Sequence, residues 1–127
     1  MEKNKTGLMF LYNGLFAISS YYKDLKYLES PIFEVMDEID SCIITGFTKQ
    51  ALRNYLKSGI DPKVVEEIGK FGEFVNKIEN KYWNPDDFDN YDDWKLAREW
   101  ASNLLNLLGW KKKSWDDSET TVIYTDD

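Results

Sequence analysis

The chain has 127 residues, 43% of them apolar, with five Trp, eight Tyr, seven Phe and a formal charge of −7, a profile that fits one domain with its own core and excludes a disordered chain. No apolar run approaches the roughly 20 residues needed to cross a bilayer, and the excess of acids argues against direct nucleic-acid binding, which draws on Lys and Arg to release counterions. Histidine is missing and Cys42 is the lone cysteine, which excludes an intramolecular disulfide and an ordinary zinc site, leaves Cys42 a packing role, and points to a reducing cytoplasm.

The opening MEKNKTGLMFLYNGLFAISS places lysines ahead of an apolar stretch, as a signal peptide does. Asn13-Gly14 interrupts that stretch and Tyr21-Tyr22-Lys23 follows it, so no export signal is expected. Thr6 can cap a first helix from Gly7 to Leu28, with Leu8, Leu11, Leu15, Ile18, Tyr22 and Leu25 on one side. Asn13-Gly14 also signals a hairpin turn. Helix is preferred because LMFLY and LFAI do not alternate and the helical stripe passes through the pair in phase. Ser30-Pro31 reads as a cap with proline at the first helical position, opening a helix from Pro31 to Ile44 that Gly46 ends. Thr48 caps a third helix from Lys49 to Ser58, with Leu52, Tyr55 and Leu56 inward and Gly59 as the stop. Asp61-Pro62 opens a fourth, running to about Asn80 and burying Val64, Ile68, Phe71, Val75 and Ile78. Gly69 and Gly72 imply that this helix bends or that a neighbour comes close.

A fifth helix spans Tyr91 to Leu108, with Asn90 as N-cap, Asp92 and Asp93 in its first turn, and Gly109 as its stop. Trp94, Ala97, Ala101, Leu104 and Leu108 form its stripe, widened by Trp100, Leu105 and Leu107; both tryptophans read as core. Trp110 to Trp115 and Thr120 to Thr125 leave room for a small β-hairpin, and Asp126 and Asp127 read as frayed. The whole is therefore expected to be a mainly α, single-domain bundle of about five helices over residues 1–127, with the acidic-aromatic connection at 82–93 as its specialised segment.

Charge singles out that connection. Residues 1–81 carry 12 acids and 11 bases, net −1, whereas 82–127 carry 11 acids and 5 bases, net −6. Asp86, Asp87, Asp89, Asp92 and Asp93 alternate with Phe88 and Tyr91, beside Tyr82 and Trp83. Capping two helix starts accounts for about three such acids; the remainder, with rings inside an acidic rim, resembles a surface for a basic protein. For Tyr82, Trp83 and Tyr91, core and interface roles both stay open.

Catalytic and ligand-binding alternatives fare worse. Without histidine the usual base near neutral pH is lost, and Glu99, the one acid to consider for carboxylate catalysis, is placed to pair with Lys95 on an exposed face. A calcium loop starting at Asp87 has Asp92 where glycine is needed and Arg98 where the bidentate glutamate is needed. Gly69 and Gly72 lie inside a helical pattern, not in a phosphate loop. No enzyme activity, cofactor or metal is expected.

In size, acidity, aromatic content and lack of catalytic groups the chain resembles the bacterial immunity proteins that neutralise colicin or contact-dependent-inhibition toxins. Its WNPDDFDNYDDW segment, Trp83 to Trp94, is similar to the acidic-aromatic stretches with which such proteins cover basic nuclease domains. The resemblance implies a complex with a basic toxin domain acting on RNA or DNA, in which Tyr82, Trp83, Asp86, Asp87, Phe88, Asp89, Tyr91, Asp92 and Asp93 occlude its cleft. A nucleic-acid-mimicking phage inhibitor and a helical adaptor subunit are the alternatives.

Overall fold

A computed structural model describes the backbone of residues 2–31 and 34–110 and the side chains of 8–31 and 34–110. These residues form one mainly α bundle around a single core. Among them are seven α-helices: α1 (Glu2–Ile18), α2 (Tyr22–Leu25), α3 (Val35–Gly46), α4 (Lys49–Lys57), α5 (Pro62–Asn76), α6 (Pro85–Asn90) and α7 (Asp92–Leu108). Turns of 3-10 helix lie at Lys26–Leu28 and Asn80–Tyr82. The two helices beyond the expected five, α2 and α6, are short ones. The hairpin expected after Trp110 and the ends Asp126 and Asp127 lie outside the described residues.

The centre of the bundle is α1, which packs against α3 and α7 and buries Leu11, Tyr12, Leu15 and Ile18 completely. It runs through Asn13-Gly14 unbroken, so helix prevails over hairpin. Glycine serves close approach here instead of a turn: a Cβ at Gly14 would lie 3.3 Å from Cys42 Cβ of α3. Cys42 is wholly buried, and burial pushes its thiol above the ordinary range, so it packs as a small apolar side chain.

The ends of α1 differ from expectation. It starts at Glu2, which leaves Thr6 inside the helix instead of capping it. It stops at Ile18, ten residues before Leu28, where the Ser19 and Ser20 hydroxyls donate back to the Phe16 carbonyl at 2.8 and 2.9 Å. Such local bonds offer the backbone an alternative to another helical turn. α3 likewise begins at Val35, not Pro31; the Val35 N–H donates to Glu29 Oε2 at 2.8 Å, so an upstream carboxylate takes the capping role expected of Ser30.

The α4 and α5 starts follow the sequence closely. Thr48 accepts from the Ala51 N–H at 3.0 Å and Asp61 from the Lys63 N–H at 2.8 Å, with Pro62 opening α5. Gly59 after α4 and Gly109 after α7 have φ of +96° and +72°, the left-handed geometry that favours glycine at a helix end. The buried faces are rotated slightly: Ala51 is inside while Leu56 is 45% exposed, Val65 is more buried than Val64, and Leu107 is 60% exposed. α5 ends at Asn76, short of Asn80, although Ile78 beyond it is still buried. Gly72 faces Phe47, whose Cβ would be 2.9 Å from an added Cβ, so a neighbour does come close. The Tyr55 hydroxyl of α4 donates to the Gly46 carbonyl at 2.5 Å, closing the end of α3. No helix among the described residues is long and apolar enough to cross a membrane.

Candidate functional site

The segment from Ile78 to Trp94 folds back on itself through side-chain to backbone bonds. Asn84 Oδ1 accepts from the Asp87 N–H at 2.9 Å, and Asn84 Nδ2 donates to Asp87 Oδ2 at 2.8 Å and to the Lys81 carbonyl at 3.0 Å. With Pro85 at the first position, this cap starts α6. Two indoles tie the flanks together: Trp83 Nε1 donates to the Ile78 carbonyl and Trp94 Nε1 to the Tyr82 carbonyl, each at 2.9 Å. Trp94 then meets Trp83 edge-on at 5.0 Å and Phe88 at 4.9 Å, forming a small aromatic core. Asn90 ends α6, donating to the Asp86 carbonyl, and is not the cap of α7; Tyr91 precedes α7 without a side-chain cap.

What remains at the surface is a pair of stacked phenols. The Tyr82 and Tyr91 rings lie parallel, 3.7 Å apart with 6° between planes, and both are half-buried. Tyr91 holds its proton above the usual phenol range, through desolvation first and then the nearby charge of Asp93, with Glu79 a further acid acting on it. Asp93 and Glu79 therefore flank the stack. Asp86 and Asp92 are exposed in the first turns of α6 and α7. Among the described residues no lysine or arginine pairs with Asp86, Asp92 or Asp93.

Three of the expected contact residues are diverted from the surface. Phe88 is fully buried, so it cannot anchor a partner. Asp87 turns back to Asn84. Asp89, its side chain only 18% exposed, accepts from the Tyr22 N–H at 2.5 Å and the Lys23 N–H at 3.3 Å, and stands 4.0 Å from Arg98. It joins α6 to α2 and α7 and is poorly placed to attract a partner from solution. Trp83 keeps partial exposure but spends its indole N–H internally.

Arg98 is the residue that the sequence left unassigned. It is 7% exposed, donates through Nε to the Ser20 carbonyl at 3.1 Å and through Nη2 to the Phe88 carbonyl at 2.6 Å, and lies 4.1 Å from the Tyr21 ring centroid. Desolvation lowers its pKa, while Tyr21 and Asp89 oppose that shift. A signal for it existed: Arg98 stands four residues after Trp94 and three before Ala101, inside the apolar stripe, where a charge has to be paired.

The fold also gathers acids that are remote in sequence. The Tyr22 phenol, pushed up to about 12 mainly by its hydrogen bond to Glu29, also feels Glu34 and Asp89. Glu34 is raised chiefly by a hydrogen bond with Asp37. Glu29, Glu34 and Asp89, from separate parts of the chain, thus all act on one phenol. No group of His, Cys, Asp or Glu among the described residues could hold a metal ion, and Glu99 is exposed. The arrangement offers rings and, among the described residues, carboxylates outside any ion pair for binding. No protein-family model, curated protein or solved structure matches the chain significantly.

Proposed function

We propose that this chain is a non-catalytic inhibitor of immunity-protein type, which binds a basic toxin domain and covers the cleft that the toxin uses for RNA or DNA. The observation that carries it is the half-exposed Tyr82–Tyr91 stack with the charges of Asp93 and Glu79 acting on it, and with Asp86 and Asp92 exposed and, among the described residues, outside any ion pair. Carboxylates without internal partners are available to the lysines and arginines of a nucleic-acid-binding cleft, and raise the encounter rate. Partly exposed rings supply contact that slows release. Relative to the sequence expectation the contact set shifts: Asp87, Phe88 and Asp89 leave it and Glu79 enters.

Co-expression with the polypeptide encoded beside it tests the proposal. Rescue of growth from a toxic basic companion is expected, and Asp86→Asn, Asp92→Asn and Asp93→Asn together should slow association about tenfold at low salt, with less effect at high salt. A toxic companion whose action is unchanged, or a complex whose formation ignores both salt and the three acids, sinks it.

A second reading, a helical adaptor, draws on Leu96 and Leu107. They are 56% and 60% exposed and about three turns apart, hence on one side of α7. Self-association or docking through that side, abolished by Leu96→Lys, would favour it.

A further inference from the structure

The tyrosine stack already carries a cation of its own. Tyr91 covers one face of Tyr82, and Lys81 Nζ lies over the Tyr82 ring 5.2 Å from its centroid. The same ammonium stands 3.8 Å from Glu79 Oε1, and the Lys81 and Glu79 side chains are 68% and 70% exposed. A ring face plus one carboxylate is a seat for a positive group, yet at an exposed position neither contact is strong. Lys81 is therefore an occupant that a better-fitting cation displaces.

We propose that the outer face of Tyr82, next to Glu79, seats an arginine side chain of the partner protein in place of Lys81. This rests on the proposed function and names the contact through which that partner is held. Arginine fits better than lysine for geometric reasons. A guanidinium is planar and lies flat on a ring while its N–H fork reaches a carboxylate at the edge, whereas an ammonium is a point charge with no plane to stack. Tyr82 is also fixed before binding. Its ring is clamped by Tyr91 and its carbonyl by Trp94 Nε1, so seating a guanidinium orders little that is not already ordered. Charge complementarity selects the same occupant, since Asp93 beside Tyr91 and Glu79 beside Tyr82 leave the stack in a negative field.

The probe is the peptide Ac-Gly-Arg-Gly-Arg-Gly-NH2, with its lysine counterpart as control, titrated into the full chain while the tyrosine ring resonances are followed by NMR. Expected are ring-current shifts at Tyr82 and Tyr91 and binding about threefold tighter for the arginine peptide. Lys81→Ala removes the internal competitor and should tighten the arginine peptide about threefold, beyond any effect of Lys77→Ala, which makes the same charge change at another exposed site. Glu79→Gln, also at an exposed position, should weaken it by a similar factor. Equal binding of both peptides without ring shifts, or equal behaviour of the Lys81 and Lys77 variants, overturns the inference. Growth rescue that persists unchanged in the Glu79 and Lys81 variants removes this contact and leaves the inhibitor function standing. Peptide binding as expected, with no rescue, does the reverse.

Discussion

Two corners of this bundle are built on different principles. At the α3–α4–α5 corner, helices of nine to fifteen residues bury Ile39, Ala51, Tyr55, Ile68 and Phe71, and α4 and α5 each start on a local cap. At the α2–α6 corner the helices have four and six residues, too few to persist alone. What holds them is tertiary: Asp89 bonds the first amides of α2, and Arg98 reaches the carbonyls on either side, at Ser20 and Phe88. Periodic burial builds one corner and a buried charge pair builds the other, and the candidate surface stands on the second.

Breaking the second principle should give the largest effect. Arg98→Ala removes two charge-assisted bonds to the Ser20 and Phe88 carbonyls, while Asp89 keeps its two amide donors, for an expected loss of about 3–5 kcal/mol. Leu104→Ala in the apolar core should cost about 2–5 kcal/mol by leaving a cavity. Urea unfolding measures both, and hydrogen exchange separates them. Protection of the Tyr22 and Lys23 amides, which donate to Asp89, should fall in the arginine variant before the rest of the chain opens. Unchanged protection there would mean that α2 is held by something else.

The same division separates the features legible in the sequence from those that are not. Thr48, Asp61-Pro62 and the glycines at 59 and 109 act within a few residues of themselves, so their roles are visible in the sequence. The break after Ile18 and the start of α3 were not. The first depends on two serines that suit either an exposed face or a helix end, and the second on Glu29 reaching six residues forward to Val35. At the candidate surface the rings and acids are visible in the sequence, but not which of them the fold buries or bonds internally. Phe88 is drawn inside by Trp94 and Arg98, both on α7 and outside α6, and Glu79 with Lys81 joins the site through the 3-10 turn at Asn80–Tyr82.

Within the first corner, two glycines on one helix sharpen the contrast between fixed and yielding neighbours. Gly72→Ala sets a Cβ 2.9 Å from Phe47 Cβ, an atom tied to its backbone, and should cost about 1–3 kcal/mol through overpacking. Gly69→Ala meets only the Leu52 Cδ1 tip at 3.1 Å, which can swing aside. Its helix-propensity gain of about 1 kcal/mol should then leave stability level or raised. Equal losses at both positions in thermal melts would show that Leu52 is as immobile as Phe47.

One cap from each corner comes next. Thr48→Ala and Asn84→Ala should each cost about 1 kcal/mol. The first is expected to lower global stability, because α4 opens only with the bundle. The second should act locally, raising exchange in α6 with a smaller shift of the urea midpoint. A global effect from Asn84→Ala would mean that the short helix is an integral part of the core.

The smallest expected effect comes from pH, and it belongs to the second corner alone. The Tyr22 hydroxyl donates to Glu29 Oε1 at 2.7 Å while Glu29 Oε2 accepts the first amide of α3. The folded state holds that phenolic proton up to about 12, whereas the unfolded chain releases it near about 10. Because the native state binds the proton more tightly, this contribution is complete below about pH 10 and is lost as pH climbs toward about 12. Tyr22→Phe has no proton to lose there, so the difference in urea midpoint between wild type and variant should narrow across that interval. The start of α3 should loosen with it, seen as faster exchange at the Val35 amide in the wild type only. A constant difference across the interval would show that the Tyr22–Glu29 bond contributes nothing to holding the α2–α3 connection.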